Sequence, residues 1–327
     1  MLKIAILGSG GWGLALACTC ANLGHDVTVW SAFKDELDSI RRTGELRAKL
    51  PGVYIPKAVH LTEDISCASG KDIVLVGIPS KFVRSVCMQA QPYVDKDTIV
   101  VSTSKGLEDG TLKRMSEILA EVFPKNTIAV LTGPSHAEEV GRGIPTAVVV
   151  ASENIEAAKL IQNTFSDNVL RLYLNSDVIG CEIGGAVKNV IALCCGVIDG
   201  VGLGDNTRAA LMTRGLSEIT RLGVAIGGKP DTFRGLAGLG DLIVTCTSLH
   251  SRNFRAGKLI GQGYTPEKAV QMVGTVEGYA CAAAALKLAK KYNVSMPITE
   301  EINKILYEGM SPETAINGLM HRPYGFE

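Results

Sequence analysis

The sequence predicts an α/β protein in two parts, a parallel-sheet domain over residues 1–180 followed by an all-α domain over residues 181–327. Three observations carry that expectation. Seven short β-branched runs alternate with helical segments up to residue 174; a glycine-rich turn follows the first of them; beyond about residue 180 the runs stop and helical apolar patterns take over. A chain of 327 residues is also too long for one small core, so two domains are the ordinary expectation.

The runs are KIAILG (3–8), DVTVW (26–30), DIVLVGIP (72–79), TIVVSTS (98–104), IAVLTG (128–133), TAVVVAS (146–152) and LRLYL (170–174). They are continuously apolar rather than alternating, the pattern of parallel strands covered by helices on both faces. Ligands of such sheets sit beyond the carboxyl ends of the strands.

The first of those ends is Gly8-Ser9-Gly10-Gly11-Trp12-Gly13, a G-x-G-x-x-G between a strand and the helix LALACTCANLG. Gly8 permits the tight turn, Gly10 lets backbone approach a pyrophosphate, and Gly13 lets helix pack closely on strand; the helix start then faces the anion. In this context the motif points to a Rossmann-type dinucleotide site. Trp12 suits either the core or a cover over the pyrophosphate.

The second run ends at Trp30-Ser31-Ala32-Phe33-Lys34, where an NAD-selective site would normally carry an acid for the adenosine ribose. Asp35 and Glu36 come too late for that role; the missing acid removes the repulsion against a 2′-phosphate and favours NADP, with NAD or NADP both open as coenzyme. Lys34, Arg41 and Arg42 could meet a 2′-phosphate, but their spacing in KDELDSIRRTGELRAK favours a solvated helix face. Lys105, just past the fourth run, and the turn Gly133-Pro134-Ser135-His136-Ala137, past the fifth, bring a cation, a hydroxyl and backbone donors to the same edge.

In the second half, Thr265-Pro266 and Ser311-Pro312 read as cap-then-proline helix starts, and Gly227-Gly228 as a stop. Polar residues gather in Asn206-Thr-Arg208, in Gly238-Leu-Gly240-Asp241, and in Ser251-Arg252-Asn253, whose hydroxyl, guanidinium and amide suit a phosphate at a helix start. Asp241 reads equally as a helix cap. GGAVKNVIALCCG (184–196) reads as buried helix with Lys188 in its middle; such a lysine either snorkels to water or is paired and used.

Lysine plus arginine and aspartate plus glutamate both total 33, so no global field recruits nucleic acid or an anionic membrane, and any anion is caught locally. The N-terminus lacks an apolar targeting core, and the long apolar stretch at 183–204 is broken by Lys188, Asp199 and glycines, so no integral membrane segment is expected. Nine cysteines without a C-x-x-C pair argue for free thiols in a reducing cytoplasm and for no metal site.

GSGGWG, STSKGLE, LTGPSHAEEV, GGAVKNVIALCCGVIDG, GLGDL, HSRN and VEGY, in that order from about Ile4 to Tyr324, resemble the bacterial type of NAD(P)-dependent glycerol-3-phosphate dehydrogenase. The resemblance implies interconversion of sn-glycerol 3-phosphate and dihydroxyacetone phosphate, a cytoplasmic homodimer, and a role in making the glycerophospholipid precursor. It implies Lys188 as general base and Lys105, Gly133, Ser135, Lys188, Asp241, Ser251, Arg252 and Asn253 as substrate contacts. Gly8, Gly10, Gly11, Trp12, Gly13, Lys105, Ala137, Arg252, Val276 and Glu277 fall at coenzyme positions. Ala32 departs from the family, which often has a basic residue or histidine there.

Free lysine, with a pKa of about 10.4, is a poor base near neutrality, and desolvation beside cations such as Lys105 or Arg252 would lower it. Two other readings remain at this level. A two-domain β-hydroxyacid dehydrogenase would take a carboxylate substrate, and a coenzyme-binding sensor would not turn over at all.

Overall fold

Every run anticipated in the first half forms a strand in the computed structural model, which describes residues 1–323; Tyr324, where the resemblance ends, lies outside the described residues. The strands are β1 (Lys3–Leu7), β2 (Asp26–Trp30), β3 (His60–Thr62), β4 (Ile73–Val76), β5 (Ile99–Ser102), β6 (Ile128–Thr132), β7 (Thr146–Ala151) and β8 (Leu170–Asn175). The sequence reading lacks β3. Its three residues are too few to show a period, and it is a strand by virtue of pairing with β2 at the sheet edge.

The order is β3-β2-β1-β4-β5-β6-β7-β8, and the pairings from β3 through to β6 are parallel. The expectation of a wholly parallel sheet fails once, because β7 runs antiparallel to β6. The helix between them spans only Ala137–Gly141. Five helical residues rise about 7.5 Å, too little to carry the chain back along a strand of roughly 17 Å, so it returns in the opposite sense. The eleven-residue helix Ile155–Phe165 does carry it back, and β8 pairs parallel with β7. β8 also corrects the continuous-burial expectation: Leu170 and Leu172 are buried while Arg171 and Tyr173 face water, as suits an edge strand.

Six helices accompany the sheet: α1 (Gly11–Asn22), α2 (Lys34–Thr43), α3 (Val83–Ala90), α4 (Met115–Val122), α5 (Ala137–Gly141) and α6 (Ile155–Phe165). Alternate residues of β1 feed opposite cores, Ile4 and Ile6 joining the cluster with α1 and α6, Ala5 and Leu7 the one with α3 and α4.

The second half supplies α7 (Val178–Val201), α8 (Asp205–Ala225), α9 (Pro230–Arg234), α10 (Asp241–Thr247), α11 (Arg252–Gly261), α12 (Pro266–Val273), α13 (Glu277–Lys291), α14 (Pro297–Tyr307) and α15 (Pro312–Met320). Thr265 and Ser311 cap α12 and α15 by accepting from Lys268 N and Thr314 N, and Gly227, at φ 104°, follows the end of α8. Two compact units result, Met1–Lys105 with Lys113–Cys181, and Gly106–Leu112 with the chain from Glu182 onward. The short segment Gly106–Leu112, drawn from the first half of the sequence, belongs with the helices.

Helix α7 is long and apolar enough to cross a membrane, yet every residue from Gly180 to Ile198 is buried within the protein. It owes part of that to a glycine seam with α11. A Cβ on Gly196 would lie 2.0 Å from Phe254 O, one on Gly200 2.3 Å from Lys258 O, one on Gly257 2.0 Å from Leu193 O and one on Gly261 2.2 Å from Val197 O. The two helices therefore meet backbone to backbone. Beyond the seam, Asp199 pairs with Arg208 at 2.7 Å and Lys258 at 3.0 Å, which accounts for Arg208 structurally.

Candidate active site

Because β1, β2, β4, β5 and β6 are parallel, their carboxyl ends share one edge. Its centre is β1, flanked by β2 and β4, where the order of strands reverses and ligands of such sheets bind. Gly8 turns at φ 124°, and a Cβ there would lie 2.6 Å from Gly77 O. A Cβ on Gly11 would meet Lys49 O at 2.6 Å, and one on Gly13 would meet Gly8 O at 2.5 Å. Gly10 is different, for its nearest neighbour would be 3.6 Å away. Packing requires the other three glycines; Gly10 instead leaves room outside the turn. It is also the N-cap of α1 and offers no side-chain acceptor to the first N–H groups of that helix. An open cradle facing uncapped helix donors fits a dinucleotide pyrophosphate. Trp12 packs against the adjoining core while staying partly exposed, and Ala137 opens α5 with its Cβ 3.3 Å from where a Gly11 side chain would begin.

Along the same edge, Lys105 Nζ donates to Gly133 O at 2.9 Å and Ser135 Oγ at 3.0 Å, while Ser135 Oγ donates to Gly133 O at 2.9 Å. Three residues singled out by the sequence thus form one cluster. Gly133 turns at φ 123°, with Val148 Cα 3.2 Å from its missing Cβ.

Past β2, α2 begins at Lys34, and its first turn directs the Glu36 side chain back to the glycine turn, where Ser9 Oγ donates to Glu36 Oε2 at 2.5 Å. Lys34 and Arg41 lie on the exposed face of α2, and both pair with Asp38.

The helical unit holds a second, buried constellation. Lys188 is 5% exposed on α7, so it does not snorkel; its Nζ lies 2.6 Å from Asp241 Oδ1 and donates to Thr245 Oγ1 at 2.5 Å. Asp241 is fully buried where a π-helical turn, Leu236–Gly240, runs into α10. Gly184 on α7 permits the approach, since a Cβ there would strike Ala237 O at 2.6 Å, while Gly238 lets the turn fold tightly on α9, where a Cβ would strike Phe233 O at 2.2 Å. One turn further along α10, Thr245 donates to Asp241 O at 2.6 Å.

Next to Lys188, Asn189 Oδ1 accepts from Asn253 Nδ2 at 2.9 Å, and Asn253 Oδ1 accepts from Gly278 N at 2.8 Å. Asn253 thereby ties α7 to the starts of α11 and α13. Ser251 caps α11 by accepting from Phe254 N, Arg252 is exposed as the first residue of that helix, and Val276 and Glu277 stand at the start of α13.

Two family models match in succession, the N-terminal domain of NAD-dependent glycerol-3-phosphate dehydrogenase over residues 3–158 and its C-terminal domain over residues 177–317. The chain belongs to the NAD-dependent glycerol-3-phosphate dehydrogenase family. A glycerol-3-phosphate dehydrogenase [NAD(P)+] of Moorella thermoacetica is 51% identical, the match covering 98% of this chain and 96% of the relative. One from Desulfitobacterium hafniense is 49% identical over 98% and 92%. The crystal structure of the glycerol-3-phosphate dehydrogenase of Coxiella burnetii superposes with a TM-score of 0.94 at 38% identity, covering 98% of this chain and 99% of that one. As a member of this family the protein is an NAD(P)-dependent oxidoreductase, and its Rossmann-type sheet with a helical second half is the family fold.

Sequence reasoning did not single out Thr245 or Asn189, and it set Glu36 aside as too far past β2. Thr245 follows Asp241 by four residues, one helical turn, and Asn189 lies inside the GGAVKN block, so both had a local signal. Glu36 had none for its contact with Ser9, because that contact depends on where α2 begins. Among the described residues, no group of three or more His, Cys, Asp or Glu side chains is arranged to hold a metal ion.

Proposed function

We propose that the protein interconverts sn-glycerol 3-phosphate and dihydroxyacetone phosphate, with Lys188 as the general acid and base. The observation that carries this reading is the buried Lys188–Asp241–Thr245 cluster, 2.6 Å and 2.5 Å from the ammonium nitrogen. A charge kept in a protein interior is costly unless it is paired or used, and this one is paired at the GGAVKN block that resembles the family's catalytic position.

The bound nicotinamide coenzyme supplies or accepts the hydride. Lys188 moves the proton. With Asp241 beside it the ammonium form is held ready, so in the reducing direction Nζ donates to the oxygen that gains negative charge as the carbonyl is reduced. In the oxidising direction the neutral amine takes the hydroxyl proton, and Asp241 stabilises the ammonium that forms. Desolvation alone is therefore an incomplete account of the lysine. Asp241 and Thr245 fix where the nitrogen points.

Arg252 and the first N–H groups of α11 bind the substrate phosphate, supported by the exposure of Arg252 at a helix start capped by Ser251. Asn253 positions that helix through Asn189 and Gly278. Lys105, Gly133 and Ser135 form the substrate group on the sheet unit, and Gly8 to Gly13 with Ala137 cradle the coenzyme; Val276 and Glu277 lie at coenzyme positions. A cytoplasmic homodimer that feeds glycerophospholipid synthesis completes the reading, resting on the resemblance to the family; sedimentation of the purified protein tests the dimer.

The deciding assay gives the purified enzyme dihydroxyacetone phosphate, then short keto acids, with NADH and with NADPH. Turnover with the triose phosphate is expected, and turnover with keto acids alone would overturn the reading. Arg252→Ala should raise the KM for the triose phosphate at least about tenfold, and an unchanged KM would move the phosphate elsewhere.

A further inference from the structure

The first turn of α2 brings an acid to the coenzyme edge of the sheet, at a point where the sequence pattern alone shows none. Ser9, inside the glycine turn, donates to Glu36 Oε2 at 2.5 Å, and its Oγ is 2.7 Å from Ser31 Oγ, the first side chain past β2. Phe33 N in turn donates to Ser31 Oγ at 3.2 Å. The other carboxylate oxygen, Glu36 Oε1, is 2.6 Å from Lys49 Nζ, and Lys49 also stands over the Phe33 ring at 5.4 Å from its centroid. The Glu36 side chain is 21% exposed. The carboxylate is thus gripped on both oxygens between the end of β2 and the turn after β1.

In dinucleotide-binding sheets, this junction receives the adenosine ribose, whose 2′-hydroxyl donates to an acid there, whereas a 2′-phosphate needs a cation in its place. We propose that Glu36 is the coenzyme-specificity residue of this enzyme and that it selects NADH over NADPH. The small Ala32 leaves the junction without a basic side chain from the end of β2. Lys34 and Arg41 on α2 are engaged by Asp38 on its exposed face. A 2′-phosphate, with a charge of about −2, would meet the Glu36 carboxylate at close range. Lys49 offsets part of that charge, but it is committed to Oε1, and freeing it would leave Glu36 both unpaired and beside the phosphate.

The inference rests on the coenzyme lying along the Gly8–Gly13 turn. Direct titration of the substrate-free protein with each reduced coenzyme, followed by fluorescence, separates the two ideas. If neither coenzyme binds, the coenzyme site itself is misplaced and the inference falls with it. The expected result is NADH binding at least about tenfold more tightly than NADPH. Glu36→Gln, which keeps the shape and removes the charge, should shrink that ratio at least about fivefold, chiefly by a gain for NADPH. NADPH binding to the wild type as tightly as NADH would overturn the proposal even if the variant failed to fold. A folded Glu36→Gln protein with the wild-type ratio would overturn it as well.

Discussion

The sheet unit and the helical unit prepare for ligands in opposite ways. Along the sheet edge the working parts are turns: glycines at positive φ, a helix start without a side-chain cap, and a lysine resting on a backbone carbonyl. In the helical unit the Lys188 and Asn189 clusters are side chains with almost no exposure, held by other side chains 53 to 64 residues away in sequence. A turn can be read from its own few residues. A buried ion pair exists only once two distant segments have met. Under the proposed function the contrast also separates binding from chemistry, since backbone donors can hold a phosphate-rich coenzyme but carry no exchangeable charge, whereas a lysine paired with an acid does.

The strongest way to break this comparison is at Lys188. Lys188→Ala should lower kcat/KM for the triose phosphate by about a thousandfold while coenzyme affinity, measured by fluorescence, stays near wild type. The same change leaves Asp241 buried without its ammonium and should reduce stability to urea by about 3–5 kcal/mol. Replacing the pair together, Lys188→Met with Asp241→Leu, should recover most of that stability and none of the activity. Recovery of activity would make the pair merely structural.

Next in size is the glycine seam. Gly257→Ala would set a methyl group 2.0 Å from Leu193 O, and a loss of about 3 kcal/mol is expected in urea unfolding. A neutral outcome would mean that α7 and α11 can move apart without cost.

Glu218 sharpens the picture of the helical unit away from Lys188. It is 2% exposed and accepts from Ile298 N, Thr299 N and Thr299 Oγ1 at the start of α14. Glu218→Ala should cost about 1–3 kcal/mol by orphaning those donors. Burial holds this carboxyl above its usual value of 4.5. The folded state therefore keeps the proton longer than the unfolded chain. The stability gap between wild type and variant should accordingly be widest at acid pH and narrow as pH rises through the raised value. A gap that widened instead would reverse the sign of the shift.

On the sheet unit, Gly10→Ala should alter stability by less than about 1 kcal/mol yet weaken coenzyme binding about tenfold. Gly13→Ala, whose Cβ would lie 2.5 Å from Gly8 O, should damage stability as well. Equal effects at the two positions would dissolve the distinction between packing glycines and the open one. The smallest effect concerns the thiols. Cys67, the one cysteine of intermediate exposure, has its thiol pushed up to about 11 by burial, so alkylation by iodoacetamide at pH 7.5 should be slow even there.

The sheet strands and the glycine turn were legible because each is a local pattern, a continuous apolar run or a fixed spacing. The reversed β7 was not, since its direction is decided by how far five helical residues can travel. Lys188 was legible as an anomaly, a charge in an apolar helix, and its partner Asp241 as a candidate with two readings. Their meeting was not, because it needs a residue without a side chain, Gly184, where the backbone of α7 approaches Ala237 O. Glu36 looked misplaced on a count of residues along the chain. Only the start of α2 at Lys34 shows that the acid points back toward Ser9.

The seam between α7 and α11 has one more consequence. Where two helices touch through carbonyls and α-carbons there are no rotamers to change, so the spacing from Lys188 on one helix to Ser251 and Arg252 at the head of the other behaves as a rigid gauge. Most interiors absorb a mutation by small side-chain adjustments spread over many neighbours. This one has nothing to adjust. Drift in the surrounding core should leave the distance between Lys188 Nζ and the start of α11 untouched, and a change at any of four glycines should disturb it.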